Sequence, residues 1–170
     1  MNTMRGTAFL LLMGLIQEDL SAQEGKDKAE RARYTAAGLE IEALYRHPGG
    51  DRRPAVIYNH GKEVELKGYA AAAASGYDVA DFVDQLARDG YVALAPLRPS
   101  KVTRFSDWRE MIVQGIAFLK AQPGVDPNRI YMIGFSKGGL LSLQVAIEED
   151  RDLAGLILMS PSPGEGEHGW

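Results

Sequence analysis

The segment Gly134-Phe135-Ser136-Lys137-Gly138-Gly139 sets one serine between two glycines, directly after the apolar stretch Ile130-Tyr131-Met132-Ile133 and directly before an amphipathic one. A serine so placed suits nucleophilic acyl transfer. A sharp strand-to-helix turn lifts the Ser136 hydroxyl clear of a sheet, and the amides opening the helix point toward developing negative charge. Gly134 and Gly138 meet a steric demand, because residues two places either side of the serine pack together where strand and helix cross. The bland alternative, an inert serine in a glycine-rich turn, fits the strand–turn–helix context less well. The spacing matches neither a Walker phosphate loop nor a G-x-G-x-x-G dinucleotide turn.

The elements that must position this turn follow from apolar periodicity. Leu39 to Tyr45 alternates and predicts a half-buried strand near the sheet edge, and Ala55 to Asn59 predicts a buried parallel strand. Lys62 to Gly76 reads as a loop with one helical turn. Val79, Phe82, Val83 and Leu86 recur at helical spacing up to a stop at Gly90, and Asp78, Asp81 and Asp84 read as solvated. Tyr91 to Ala95 is the next strand. A second helix is expected to start with Ser106 as its cap and to close at Pro123-Gly124. Asp126-Pro127-Asn128 reads as a turn, followed by the strand that leads to Ser136, a helix from Lys137 to Glu149 and a strand from Ala154 to Ser160. Strands alternating with helices predict an α/β fold, a three-layer sandwich around a mostly parallel sheet.

The 170 residues are 45% hydrophobic and 25% charged, enough apolar material for one domain with one core. Nineteen basic and 23 acidic residues leave a net charge of −4, which gives no footprint for nucleic acid. The absence of cysteine excludes disulfides, thiol nucleophiles and thiolate metal sites, and no metal or organic cofactor is expected. Arg5 followed by the short apolar run Thr7 to Ile16 and the small residues near Ser21-Ala22 predicts a secretory signal peptide over 1–22. The mature protein would then be secreted or periplasmic without a membrane anchor. If the segment is instead an amphipathic helix of the domain, the location is cytoplasmic. Residues 23–38 read as a charged, solvated lead-in and 39–170 as the domain.

Residues 39–160 resemble the α/β-hydrolase superfamily and, within it, the dienelactone-hydrolase-like and prolyl-oligopeptidase-like esterases. The matching stretches are Val56-Ile57-Tyr58-Asn59-His60-Gly61, Asp89 to Pro96, Asp126 to Ile130 and the serine turn. The resemblance implies that His60 and Gly61 shape the oxyanion loop, with His60 structural. It also implies that the Lys62 and Lys137 backbone amides donate to the oxyanion.

It further implies a chain order of serine, then acid, then histidine, the last two lying beyond the strand that ends at Ser160. The only histidine after Ser136 is His168, on the glycine-rich tail with Glu165 and Glu167, where no strand would steady it as a base. The expectation is an incomplete hydrolase of small or medium soluble esters, inactive or very weak as it stands. A non-catalytic interaction domain of the same fold is the alternative, and an apolar last strand would favour self-association through the sheet edge. A carbohydrate-binding module lacks any repeated aromatic platform.

Overall fold

The computed structural model describes residues 28–148 and 153–163. The leader expected over 1–22, the tail from 164 and His168 therefore lie outside the described residues.

Among the described residues six strands form one sheet: β1 (Glu30–Ala36), β2 (Leu39–Arg46), β3 (Arg53–Asn59), β4 (Val92–Pro96), β5 (Val125–Phe135) and β6 (Gly155–Met159). Their spatial order is β1-β2-β4-β3-β5-β6. β1 and β2 are antiparallel, β2 runs antiparallel to β4, and the β4-β3-β5-β6 block is parallel. The described helices that connect them are α1 (Glu63–Lys67), α2 (Tyr69–Ala74), α3 (Val79–Arg88), α4 (Phe105–Ala121) and α5 (Lys137–Glu148).

The central strands are apolar on both faces because both faces are covered. On one, Ile57, Leu94 and Met132 pack with Ile112, Ile116 and Leu119 of α4 and with Leu141 and Val145 of α5. On the other, Val56, Tyr58 and Ala93 pack with Val64, Val79 and Val83 from α1 and α3. Each fully buried aliphatic side chain contributes about 1.5–3 kcal/mol relative to exposure. The expected three-layer sandwich with a mostly parallel sheet is the observed fold.

Several local expectations are corrected. The charged lead-in is, from Glu30 onward, the edge strand β1, because Ala32, Tyr34 and Ala36 turn inward while the charged residues alternate outward. The two-residue turn Ala37-Gly38, both with positive φ, joins it to β2. Residues 62–76 hold two short helices rather than one turn. α4 begins at Phe105 with Arg104 as its N-cap, so Ser106 lies inside the helix and does not cap it. Asp78 caps α3 by accepting from the Ala80 amide at 2.9 Å. Asp84 is drawn into a mostly buried ion pair with Arg46 at 3.1 Å. Asp84 therefore departs from the solvated reading, whereas Asp78 remains exposed while it caps the helix.

The Asp126-Pro127-Asn128 turn is taken into β5 as an irregularity. The register steps from Arg53 opposite Val125 to Ala55 opposite Ile130, and Asp126 Oδ1 accepts from the Asn128 amide at 3.1 Å. Among the described residues no helix is long and apolar enough to cross a membrane.

Candidate active site

Ser136 stands between the end of β5 and the start of α5 with φ of +53°, a left-handed conformation that costs a non-glycine residue energy. The surroundings enforce it. A Cβ on Gly134 would lie 2.4 Å from Ser142 Oγ and 2.5 Å from the Gly138 carbonyl oxygen. One on Gly138 would lie 2.0 Å from the carbonyl oxygen of Asn59, at the end of β3. Strand, turn and helix thus touch backbone to backbone, and only glycine fits at either place. Further contacts fix the turn: the Ser136 amide donates to the Met159 carbonyl at 3.1 Å, and the Ser136 carbonyl accepts from the Ser162 amide at 2.9 Å. Beneath it, Asn59 Nδ2 donates to Ser142 Oγ at 2.7 Å, tying β3 to α5.

The loop after β3 lies against the serine. A Cβ on Gly61 would sit 3.2 Å from the Phe135 ring and 3.6 Å from Ser136 Cβ. The Gly61 amide donates to Tyr77 Oη at 2.8 Å, so Tyr77, at the entrance to α3, anchors the loop. Lys62 follows immediately as the N-cap of α1, and Lys137 is the first residue of α5. The sequence-predicted residues Ser136, His60, Gly61, Lys62, Lys137, Gly134 and Gly138 are thus gathered at the carboxyl ends of β3 and β5, where amides opening a helix have no carbonyl one turn back.

His60 is fully buried. Its Nδ1 lies 2.7 Å from the Gly61 carbonyl and its Nε2 lies 3.3 Å from the Arg98 amide, an arrangement that fits the Nδ1–H tautomer. Burial, with the Arg98 guanidinium adding to it, holds the imidazole well below the usual histidine range. A neutral ring with both nitrogens engaged has no capacity to take the Ser136 proton. His47 is no better placed, since it packs beside Gly124 before β5 begins, whereas Ser136 follows the end of that strand.

Two residues absent from the sequence reading join the site. Arg98, after β4, is buried and donates through Nε to Glu65 Oε1 at 2.6 Å and through Nη2 to the His60 carbonyl. Glu65, on α1, accepts at its other oxygen from Lys137 Nζ at 2.6 Å. Lys137 Nζ also lies 3.6 Å from the centre of the Trp108 ring. The Lys137 head group is therefore held between a carboxylate and an indole, not loose in solvent. A cleft of about 490 Å³ opens beside Glu65 and Arg98, lined further by Arg31, Tyr69 and Leu97; Ser136 does not line it.

No family model matches the sequence, and a search of curated proteins found no match. Solved structures do match. The hyperthermophilic esterase from the archaeon Pyrobaculum calidifontis superposes with a TM-score of 0.63 at 22% identity, over 85% of this chain and 50% of that one. The esterase Est22 gives 0.63 at 20% identity, over 83% and 47%. The alpha/beta hydrolase GrgF from Penicillium sp. sh18 gives 0.63 at 19% identity, over 81% and 48%. The chain spans about half the length of these structures. With the strand order and the serine turn, these likenesses give the chain the α/β-hydrolase fold.

Proposed function

We propose that the chain is the nucleophile-bearing portion of a serine hydrolase acting on carboxylic-ester or related acyl bonds. The observation that carries this reading is Ser136 held at φ of +53° between two glycines that no other residue could replace. Strain of that kind at a half-buried turn favours a reactive hydroxyl over a structural one. The esterases among the structural neighbours support the same chemistry. On the stretches around His60-Gly61, Gly90 and Asp126-Pro127, we assign it to the dienelactone-hydrolase-like type. Small or medium soluble esters are the substrates, with no cofactor required.

In this mechanism Ser136 Oγ attacks the acyl carbon as its proton passes to a base. The carbonyl oxygen gains the negative charge and is held by the Lys62 and Lys137 amides, the alcohol leaves with a proton, and water later releases the acid. The described residues hold the nucleophile and the oxyanion loop. Neither described histidine serves as the base, and His168 lies outside them. We therefore expect the 170-residue chain alone to turn over esters weakly or not at all.

The decisive experiment is hydrolysis of p-nitrophenyl acetate by the chain and by Ser136→Ala, with mass-spectrometric mapping of a fluorophosphonate adduct. A slowly formed adduct on Ser136, lost in the variant, is the expected result, slow because no described residue takes the serine proton. Turnover that survives Ser136→Ala would show that Ser136 is the wrong nucleophile, and robust turnover that vanishes would overturn the expectation of weak activity. The second reading, a non-catalytic module of the same fold, draws on the closed hydrogen bonding of His60. It predicts no adduct.

A further inference from the structure

We propose that Glu65 is a positioning residue of the Ser136 site, clamping the loop that carries Lys62 to the turn that carries Lys137. What is positioned rests on the serine-hydrolase reading; the clamp itself rests on contacts between chain segments.

Glu65 lies three residues after Lys62 on α1, a helix of five residues. So short a helix closes few hydrogen bonds of its own and is placed by what it touches. The Glu65 carboxylate is 9% exposed and divides its oxygens between two cations on two other segments, Arg98 Nε at 2.6 Å and Lys137 Nζ at 2.6 Å. Arg98 completes a circuit. Through Nη2 it donates to the His60 carbonyl, with the Gly61 carbonyl 3.5 Å away, so the guanidinium that fixes Glu65 also grips the loop backbone. At the other end the Trp108 ring, 3.6 Å from Lys137 Nζ, closes the space around the ammonium. A lysine whose head group is held from two sides has lost most of its rotamer freedom, and its backbone, directly after Ser136, is located with it.

Stability alone is a poor account of this cluster. Buried ion pairs are often matched or bettered by apolar residues of the same volume, so their presence is weak evidence for a stabilising role. What the cluster supplies is the separation of two segments that are remote in sequence. Oxyanion donors act only when both lie about 2.7–3.1 Å from the developing charge. The Lys62 and Lys137 amides belong to different elements; the contact of Gly138 with the Asn59 and His60 backbone fixes the strand ends beneath them, but Lys62 lies beyond that contact, at the start of a five-residue helix that needs a second link to place it. Glu65 spans that gap.

The test uses the 170-residue chain with an alkyl fluorophosphonate, whose attack by Ser136 loads an oxygen into the same place as an acyl carbonyl. Glu65→Gln and Lys137→Met should each lower kinact about tenfold with KI little changed, the scale expected when a donor is misplaced but not removed. The double variant should be no slower than either single one, and Lys137→Arg should recover most of the rate. A lower melting temperature with an unchanged kinact below it would overturn the proposal, because that is the pattern of a structural role.

Hydrogen–deuterium exchange on the same variants reads the clamp without any need for reactivity. Glu65→Gln should speed exchange in both 60–68 and 136–140, and acceleration confined to 60–68 would overturn the proposal. If the unmodified chain takes no probe at Ser136, the serine-hydrolase reading falls, and the exchange result still decides whether Glu65 joins the two segments.

Discussion

β1 and β6 each lie at an edge of the same sheet, but one is lined with charge and the other with apolar side chains. Along β1 the outward residues Arg31 and Arg33 pair with Glu42 and Glu40 of β2 at 3.0–3.5 Å, while Tyr34 Oη donates to the Met111 carbonyl at 2.7 Å and fastens the strand to α4. Charge along an edge discourages another strand from adding to it. β6 carries no charged residue: Ile157 is 55% and Met159 39% exposed, and among the described residues the strand pairs only with β5. The difference has a functional side. Ser136 follows β5 and donates through its amide to the Met159 carbonyl, so the proposed nucleophile belongs to the apolar edge, while the loop proposed to hold the oxyanion is gripped from the β4 side by Arg98.

If backbone contact is what makes the β5–β6 side unforgiving, one added methyl separates the two sides. Gly138→Ala would bring a Cβ to 2.0 Å from the Asn59 carbonyl oxygen, where the neighbour is backbone and has no rotamer to change. The expected loss is about 3 kcal/mol or more. Gly38→Ala, in the β1–β2 turn, meets nothing within 4 Å and bears only the strain of φ at +71°, about 1 kcal/mol. Urea unfolding of the two variants checks the pair, and equal losses would remove the distinction.

The middle of the sheet makes a separate prediction, in pH. His60 is buried neutral, and its folded pKa lies well below its unfolded value near 6.5. The unfolded chain therefore binds a proton that the folded chain refuses as pH falls. The stability from this group is fully present above about pH 6.5 and drains away below it, by about 1.4 kcal/mol per pH unit until the folded ring protonates. Denaturant unfolding at pH 7 and pH 5 should show the slope, and His60→Gln should flatten it even if it lowers stability throughout. An unchanged slope in that variant would mean His60 is not its source.

The parallel block was legible in the sequence because buried strands leave continuous apolar runs and Gly90 marks a helix end. The strained turn at Ser136 was legible for the related reason that its glycines are local to it. The clamp was not. Glu65, Arg98 and Lys137 each look like solvated surface charge, and their pairings span 33 and 72 residues, beyond the reach of any periodicity. Asn59 and Ser142 left a fainter trace, as polar residues at the end of an apolar strand and on the buried side of a helix. β1 was masked by its own chemistry. Its charges suggested solvent, and only the inward set of Ala32, Tyr34 and Ala36 shows the alternation of a strand.

The smallest expected effect on the folded chain is at the edges themselves, and there the readout is association. Ile157→Lys with Met159→Lys changes two partly exposed side chains outside the core, so the stability of the monomer should move by no more than about 1 kcal/mol. Sedimentation velocity over a concentration series should then show less self-association than for the unmodified chain, since lysine on an edge blocks strand addition. On β1, Arg31→Ala breaks an ion pair whose members are both 48% exposed, a pair that contributes about 0–1 kcal/mol and is screened by salt. With Arg33 and its partners still in place, sedimentation should not change. If Arg31→Ala instead drives association while the β6 lysines do nothing, the exposed apolar strand is the inert edge and the contrast between the two is reversed.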